Sequence, residues 1–243
     1  MKVSVVIPAY NEEKWIGKTL EAVLAQDYSN FEVIVVNNAS TDETADIVRS
    51  FTDPRLTLVF EPNKGLLHAR EAGRKAATGT IIAQLDADCL PGKHWIKNAM
   101  SYFKNPKVVA VTGAYYYYDS PWLTKKTALI GQLTIHALMC RLVQTAKRGG
   151  LIIGGNTFIR KEALDKAGGY NTRLNFYGED TDTACRIVPY GRIAYSNRNI
   201  LPTSGRRFEE SGFWKINAKY IHAFFTVLRK GTYHRSKEEK HPR

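Results

Sequence analysis

Cysteine is the first scarcity. The chain of 243 residues has three, Cys89, Cys140 and Cys185, an odd number spread far apart. Their spacing matches neither a zinc site nor a disulfide framework, and such usage fits a reducing compartment, the cytoplasm. Long apolar runs are missing as well: nothing reaches the about 18 uninterrupted apolar residues of a membrane span. Lys2 is followed by a short β-type run and then Pro8, which is not a secretory signal pattern. No G-x-G-x-x-G follows the first apolar run, and no G-x-x-x-x-G-K-[ST] occurs anywhere. A dinucleotide fingerprint and a Walker-type phosphate loop are thereby excluded. Any bound phosphate has to be held by side chains and a metal.

Acidic residues are in deficit. Lys and Arg number 35 against 23 Asp and Glu, for a net charge of +12. Such an excess points to an anionic partner: nucleic acid, a membrane surface or a phosphate-bearing substrate. From Arg206 to Arg243 there are ten Lys/Arg and four Glu, so half of the excess lies in the last 38 residues. The basic character is terminal, and no RNP-like or helix-turn-helix pattern accompanies it, so no nucleic-acid partner is expected. Hydrophobic residues at 44% are enough to fill the core of one large α/β domain or two small ones.

What is present is alternation. Val3–Ile7, Phe31–Val36, Leu56–Phe60 and Ile81–Leu85 are short apolar runs of the kind buried on both faces of a parallel sheet. Between them lie helical patterns: Ile16 to Leu24, the stretch near Glu43–Phe51, and Leu66–Ala77. Strand and helix alternating four times predict right-handed βαβ units, with helices on both faces of a mainly parallel sheet. Ligands then bind beyond the carboxyl ends of the strands. The segments Pro8-Ala9-Tyr10, Asn37–Asp42, Glu61–Lys64 and Asp86–Asp88 all follow strands, so they line one rim.

Asp86 and Asp88 end the fourth run. Residues i and i+2 of an extended chain share a side, so both carboxylates face the space beyond the strand. Two like charges so close favour a hard divalent cation between them, and such a cation commonly arrives with a phosphate. A solvated turn is the plain alternative, and the pair alone leaves both open. Further on, Lys107–Thr112 reads as a strand, followed by the tyrosine run Tyr115–Tyr118. Leu123–Lys147 reads as a long helix with Leu129, Leu133, Ala137, Cys140 and Val143 on one side, a core helix first and a lid or acceptor wall second. Thr157–Arg160 is strand-like, and Gly178-Glu179-Asp180-Thr181-Asp182 opens a helix toward Val188. An acidic triplet there is also what a helix N-terminus favours on its own.

Five of these pieces occur in order. They are Val-Ile-Pro-Ala-Tyr-Asn-Glu-Glu at 6–13, Asn-Asn-Ala-Ser-Thr-Asp at 37–42, Asn-Lys-Gly with Ala-Arg within 63–70, Leu-Asp-Ala-Asp at 85–88 and Gly-Glu-Asp-Thr-Asp at 178–182. The series resembles the family 2 glycosyltransferases over roughly residues 3 to 208. The resemblance implies a GT-A fold, an α/β architecture with a mainly parallel mixed sheet flanked by helices. It implies a single domain over 1–208, with a Rossmann-like nucleotide-sugar half at about 1–113 and an acceptor half at 114–208. Residues 209–243 then form an amphipathic helix and a basic tail. The implied reaction is inverting transfer of a sugar from a nucleotide diphosphate donor to an acceptor hydroxyl, with Mg²⁺ or Mn²⁺ on the diphosphate.

Carried over residue by residue, Asp88 corresponds to the metal ligand of the D-x-D motif. Asp86 corresponds to its partner on the ribose or a metal-bound water. Asp180 corresponds to the catalytic base and Glu179 to its neighbour that orients acceptor or base. Pro8, Ala9 and Tyr10 correspond to the segment around the nucleobase, Glu12 to a ribose contact, Ala87 to the nucleotide-binding D-x-D backbone and Arg70 to an arginine on the nucleotide. At 37–42 the chain departs from the aspartates common in relatives. Asn38 still has an oxygen for uracil's ring N–H, so a UDP-sugar stays ahead of GDP- and dTDP-sugars. Asp42 is expected as a structural cap, with nucleotide contact as its alternative. Within Ser204–Phe208, Arg207 is a possible diphosphate clamp, with a plain basic turn as its alternative.

The acceptor expected is a glycan or a lipid-linked molecule. Phe213, Ile216, Tyr220, Phe224 and Leu228 form an aromatic-rich helical stripe, with Ile221 and Phe225 beside it and basic residues after it. Such a helix docks on a core or, through 213–240, on an anionic membrane. The stretch from Ser236 is expected to be disordered. Two rival readings remain: a non-catalytic nucleotide-sugar-binding or scaffolding protein, and a nucleotidyltransferase of similar sheet architecture. The joint presence of Asp86, Asp88 and Asp180 opposes the first. The G-E-D segment opposes the second.

Overall fold

A computed structural model describes residues 1–145, 149–174, 177–206, 208 and 212–230. The first half follows the alternation: β1 (Val3–Ala9), α1 (Ile16–Leu24), β2 (Phe31–Asn37), α2 (Thr44–Arg49), β3 (Leu56–Phe60), α3 (Leu66–Ala76) and β4 (Ile81–Leu85). Strand β1 pairs in parallel with β2, from Val3 opposite Phe31 to Ala9 opposite Asn37, and with β4 on its other side. Then come α4 (Trp95–Met100), β5 (Val108–Tyr117), α5 (Trp122–Gly131), a π turn (Gln132–His136) and α6 (Ala137–Thr145). The chain continues through β6 (Asn156–Arg160), α7 (Lys161–Lys166), α8 (Glu179–Ile187), β7 (Arg192–Thr203) and α9 (Phe213–Lys230).

One seven-stranded sheet in the order β3-β2-β1-β4-β6-β5-β7 carries the described elements, and it is the mixed, mainly parallel sheet expected. Only β6 runs against its neighbours, β4 and β5. Alternate side chains feed two cores. Val3, Val5 and Ile7 pack with Ile16 and Leu20 on one face, while Val6, Ile34 and Val36 pack with Leu67 and Ala69 on the other. The three cysteines are unpaired.

Three features differ in detail from the sequence pattern. Strand β5 runs through Tyr117 instead of stopping near Thr112, because Tyr115 and Tyr117 pair with Leu201 and Thr203 of β7. The long helical candidate is one helical path interrupted by the π turn, and it lies on the surface. Cys140 and Val143 are buried as expected, but α5 has no buried residue. On α9 the inward side is Ile216, Ala223 and Val227, while Ile221 and Phe225 face out. The terminal stretch from Ser236 lies outside the described residues.

The amino ends of the strands are tied by Glu32. Its Oε1 accepts from Ser4 Oγ at 2.5 Å and from the Thr78 amide at 2.8 Å, and Lys2 Nζ lies 2.6 Å from Oε2. Burial alone would raise this carboxyl. The bonds from Lys2, Ser4 and Thr78 outweigh it and bring the pKa from 4.5 down to about 2. A depressed carboxylate contributes stability above its unfolded pKa and loses it as pH falls through the folded one. Screening by solvent at this partly exposed edge reduces the contribution to about 1–2 kcal/mol. Glu32→Gln should therefore destabilise the protein by that amount at neutral pH. Between pH 4.5 and about 2 the wild type should lose the same increment and the variant should not. Urea unfolding across that range checks it, and superimposable pH profiles for the two proteins would count against it.

Candidate active site

Parallel pairing brings the ends of β1, β2, β3 and β4 to one rim. Strand β6 starts there, since Asn156 lies opposite Leu85. The loops at the rim are laced together. The Asn38 amide donates to Ala9 O at 2.8 Å, Thr41 N to Asn11 Oδ1 at 2.9 Å, and Glu12 N to Thr44 Oγ1 at 2.8 Å. Asp42 accepts from Thr44 N at 3.0 Å and Glu13 N at 3.1 Å, which fits its expected structural role.

Asn38 explains its own departure from aspartate. Its Nδ2 donates to Glu61 O at 3.0 Å and to Asn63 O at 2.7 Å, and its Oδ1 accepts from Gly65 N at 2.7 Å. A carboxylate cannot donate to two carbonyls, so an amide is what clamps these loops. Tyr10 is 41% exposed, and Lys64 Nζ lies 3.1 Å from its hydroxyl and 4.7 Å from its ring centre. Pro8 and Ala9 end β1 beside Val36 and Asn37. Ala87 is buried, and its carbonyl accepts from Thr19 Oγ1 at 2.7 Å.

The centre of the rim is Arg70, on the buried side of α3. Its Nη1 lies 3.2 Å from Asp180 Oδ1 and its Nη2 3.6 Å from Asp86 Oδ1. The two carboxylates thus meet one guanidinium although 94 positions separate them in the chain. Asp180 Oδ2 also accepts the Gly154 amide at 2.9 Å, and Asp86 Oδ2 accepts the Tyr115 hydroxyl at 2.9 Å. Burial pushes the Asp180 carboxyl above the ordinary carboxylate value. Arg70 and the Gly154 amide pull it back, and the nearby Asp86 charge pushes it up again. Burial acts against the Arg70 cation, but Asp180, Asp86 and Glu179 together hold it firmly protonated. Tyr115 is kept protonated by burial and by the Asp86 charge.

Local backbone makes this convergence possible. Gly178, at φ 89°, turns the chain into α8 so that Glu179 and Asp180 occupy its first turn. Glu179 is buried there, and Asp182 is spent on Arg186 at 2.8 Å, a structural pair within the helix. Gly154 and Gly155 come so close that side chains are excluded. A Cβ on Gly154 would stand 2.4 Å from Asp180 Oδ1, and one on Gly155 would stand 2.2 Å from Asp86 Oδ2.

Asp88 is met from the end of β7. Thr203 Oγ1 donates to Asp88 Oδ1 at 3.3 Å, and Arg206 Nη2 lies 3.2 Å from Oδ2. Arg206 also grips Glu12 with both ends of its fork, at 2.9 and 2.5 Å. Arg207, the sequence candidate, lies outside the described residues. Arg206, Tyr115 and the glycine pair were not singled out for the site in the sequence. The basic turn Ser204–Phe208 and the tyrosine run pointed to their neighbourhoods, but only the tertiary pairing selects the residue.

The site suits a divalent cation shared with a phosphate. Asp86, Asp88, Asp180 and Glu12, with Glu179 also near Arg70, outnumber the two cations Arg70 and Arg206. A guanidinium already rests against Asp88, so this carboxylate faces positive charge in the structure. Among the described residues no cluster of three or more His, Cys, Asp or Glu could hold a metal by itself. A cation here needs further ligands from a bound diphosphate, which is the habit of Mg²⁺. The buried Nε of Arg70 has no hydrogen-bond partner among the described residues.

Comparison with known proteins agrees with this geometry. The chain is 30% identical over 229 residues to the probable glycosyltransferase YdaM of Bacillus subtilis, a match covering 88% of this chain and 52% of YdaM. Two other curated relatives match over shorter stretches, which span 38% and 35% of their length, so the chain corresponds to only part of the relatives it matches. Among solved structures, the mannosyltransferase PcManGT from Pyrobaculum calidifontis, in complex with GDP-Man and Mn²⁺, superposes with a TM-score of 0.73. The identity is 25%, over 95% of this chain and 65% of that one. TarS residues 1–349 from S. aureus, in complex with UDP-GlcNAc, gives a TM-score of 0.68 at 21% identity, over 85% of this chain and 59% of that one, a likeness of fold. The description "Glycosyl transferase family 2" matches residues 4–168. With the sheet order, the rim of acids and this match in agreement, the chain belongs to glycosyl transferase family 2.

Proposed function

We propose that this chain is an inverting glycosyltransferase that moves a sugar from a nucleotide diphosphate to an acceptor hydroxyl. The observation that carries the reading is Arg70 set between Asp86 and Asp180, at 3.6 and 3.2 Å. One buried cation links the acid pair after β4 to the acid that opens α8. A diphosphate-binding group and a proton acceptor thus share one small site.

In the proposed reaction the acceptor oxygen attacks the anomeric carbon as the bond from that carbon to the diphosphate oxygen breaks. The acceptor proton passes to Asp180, and the nucleoside diphosphate leaves with the bonding pair. Burial raises the proton affinity of Asp180, which suits a base. Its two hydrogen-bond donors, Arg70 and the Gly154 amide, fix its direction. Glu179 orients the acceptor or the base. Asp88 and Asp86 would hold Mg²⁺ or Mn²⁺, which supplies positive charge against the leaving diphosphate. Pro8, Ala9, Tyr10, Glu12, Asn38, Arg70 and Ala87 form the nucleotide side of the site.

A UDP-sugar is placed first, ahead of GDP- and dTDP-sugars. PcManGT was solved with GDP-Man and TarS with UDP-GlcNAc, so one fold accommodates both bases. The acceptor is proposed to be a glycan or a lipid-linked molecule. The outward Ile221 and Phe225 of α9 support peripheral membrane contact within 213–240, of which residues 231–240 lie outside the described part.

A thermal-shift screen over UDP-, GDP- and dTDP-sugars with Mn²⁺ tests the donor side. One nucleotide class should stabilise the wild type, and EDTA should abolish the effect. Asp88→Ala should weaken metal-dependent donor binding by about tenfold or more; equal calorimetric affinity with and without chelator would remove Asp88 from metal binding. On the acceptor side, Asp180→Asn should bind donor normally and transfer about a hundredfold to ten-thousandfold more slowly. Normal turnover in that variant would exclude Asp180 as the base. The pH profile adds an independent check. A base works only when ionised, so a raised pKa moves the acid limb of kcat/KM upward, above the ordinary value of 3.8. Residual activity in Asp180→Asn should lack that limb.

A further inference from the structure

The path α5–π turn–α6 carries an apolar face that no described element covers. Leu123, Ile130, Ile135, Leu138 and Leu142 are all more than half exposed, from 53% at Leu142 to 68% at Ile135. Trp122, at the start of α5, is exposed too, with Lys126 Nζ 4.4 Å from its ring centre. The five-residue step from Ile130 to Ile135 would swing an ordinary α-helix about 140° off the face. The π turn at Gln132–His136 absorbs the additional residue and keeps both halves of the stripe aligned. An apolar stripe that a local irregularity keeps continuous, yet turned outward, is not explained by packing within the described residues.

Charge says what covers it. No Asp or Glu occurs between Asp119 and Glu162, while Lys125, Lys126 and Arg141 lie on the helices themselves. Lys126 and Arg141 are exposed beside the stripe. A second copy docking face to face about a two-fold axis would set these cations against themselves, with no acid to answer them. An anionic lipid surface answers them and accepts the apolar residues below its headgroups. We infer that the outer face of α5 and α6 is a docking surface for an anionic phospholipid bilayer. It is distinct from the C-terminal helix, and the inference does not rest on the transfer chemistry.

The same helices touch the active site. Gln132 brackets the backbone of Tyr115, accepting from its amide at 2.9 Å and donating to its carbonyl at 3.1 Å. Tyr115 in turn holds Asp86. Just before α5, Asp119 accepts from Ser204 Oγ and the Gly205 amide, both at 2.5 Å, next to Arg206. A bilayer seated on this face would thus lie on the helices whose inner side holds Tyr115.

Vesicle flotation of the full chain tests this, using phosphatidylcholine vesicles with and without about one-third phosphatidylglycerol. The wild type should partition onto the anionic vesicles about tenfold more strongly than onto the neutral ones. Ile130→Ser with Leu138→Ser should cut the partition coefficient by about tenfold or more, with an unchanged thermal midpoint because both positions are exposed. Lys126→Glu with Arg141→Glu should cut it as well, and the wild-type binding should weaken in high salt. Wild-type flotation by the Ile130 and Leu138 variant overturns the inference. So does loss of flotation only in Ile221→Ser with Phe225→Ser, which would assign the contact to α9. Sedimentation showing a dimer that the Ile130 and Leu138 variant converts to monomers, with vesicle binding unaffected, would assign the face to a second copy.

Discussion

The site depends on one buried cation. Arg70 is only 4% exposed, and a guanidinium taken that far from water must be met by opposite charge. Asp86, from the loop after β4, and Asp180, from the first turn of α8, both meet it. The dependence is mutual. Without Arg70 the two carboxylates would repel across the gap, and the raised proton affinity of Asp180 would climb further. Without either acid the cation would be left under-compensated in the interior. The acid that follows β4 and the acid that opens α8 come from separate parts of the chain and are locked in register by this contact.

Close approach is the second condition. Arg70 reaches both acids because Gly154 and Gly155 leave no side chain in the way. These glycines open β6, the one strand that runs against its neighbours, and its reversal is what carries them to the rim. Tyr115 arrives from β5, which extends past Thr112 because β7 lies alongside it. The acidic centre is therefore assembled by the second half of the sheet onto strand ends supplied by the first. Hydrogen bonds from the Gly154 amide and the Tyr115 hydroxyl then aim the two carboxylates.

This division explains what could be read in advance. The first four strands announce themselves through apolar runs and turn residues, because a strand buried on both faces leaves a local pattern. Asp86, Asp88 and Asp180 were legible because their neighbours form motifs in order. Arg206 was not. Its partners Glu12 and Asp88 lie 194 and 118 positions earlier in the chain, and nothing in a basic turn says which arginine turns inward. The α5–α6 path misled in another way. Periodicity found its inner side, with Cys140 and Val143, but periodicity cannot tell a core helix from a surface helix whose outer side is also apolar. Asn38 shows the reverse case: a departure from the family pattern acquires its reason only when Glu61, Asn63 and Gly65 surround the amide.

The charge at Asp88 completes the picture. Arg206 compensates Asp88 and Glu12 together, as Arg70 compensates Asp86 and Asp180. The two clusters are built alike, each with one guanidinium in contact with two carboxylates. They differ in anchorage. Arg70 is fixed on a helix that packs against the centre of the sheet, whereas Arg206 stands on the turn after β7, held through Ser204 and Gly205 to Asp119. In the proposed reaction a cation held by Asp88 would compete not with Arg70 on its packed helix but with Arg206, the guanidinium on the turn. The turn bearing it is tied to Asp119, two residues before α5. Asp88 and the start of the outer helix are therefore joined by one chain of contacts, which runs through the turn after β7.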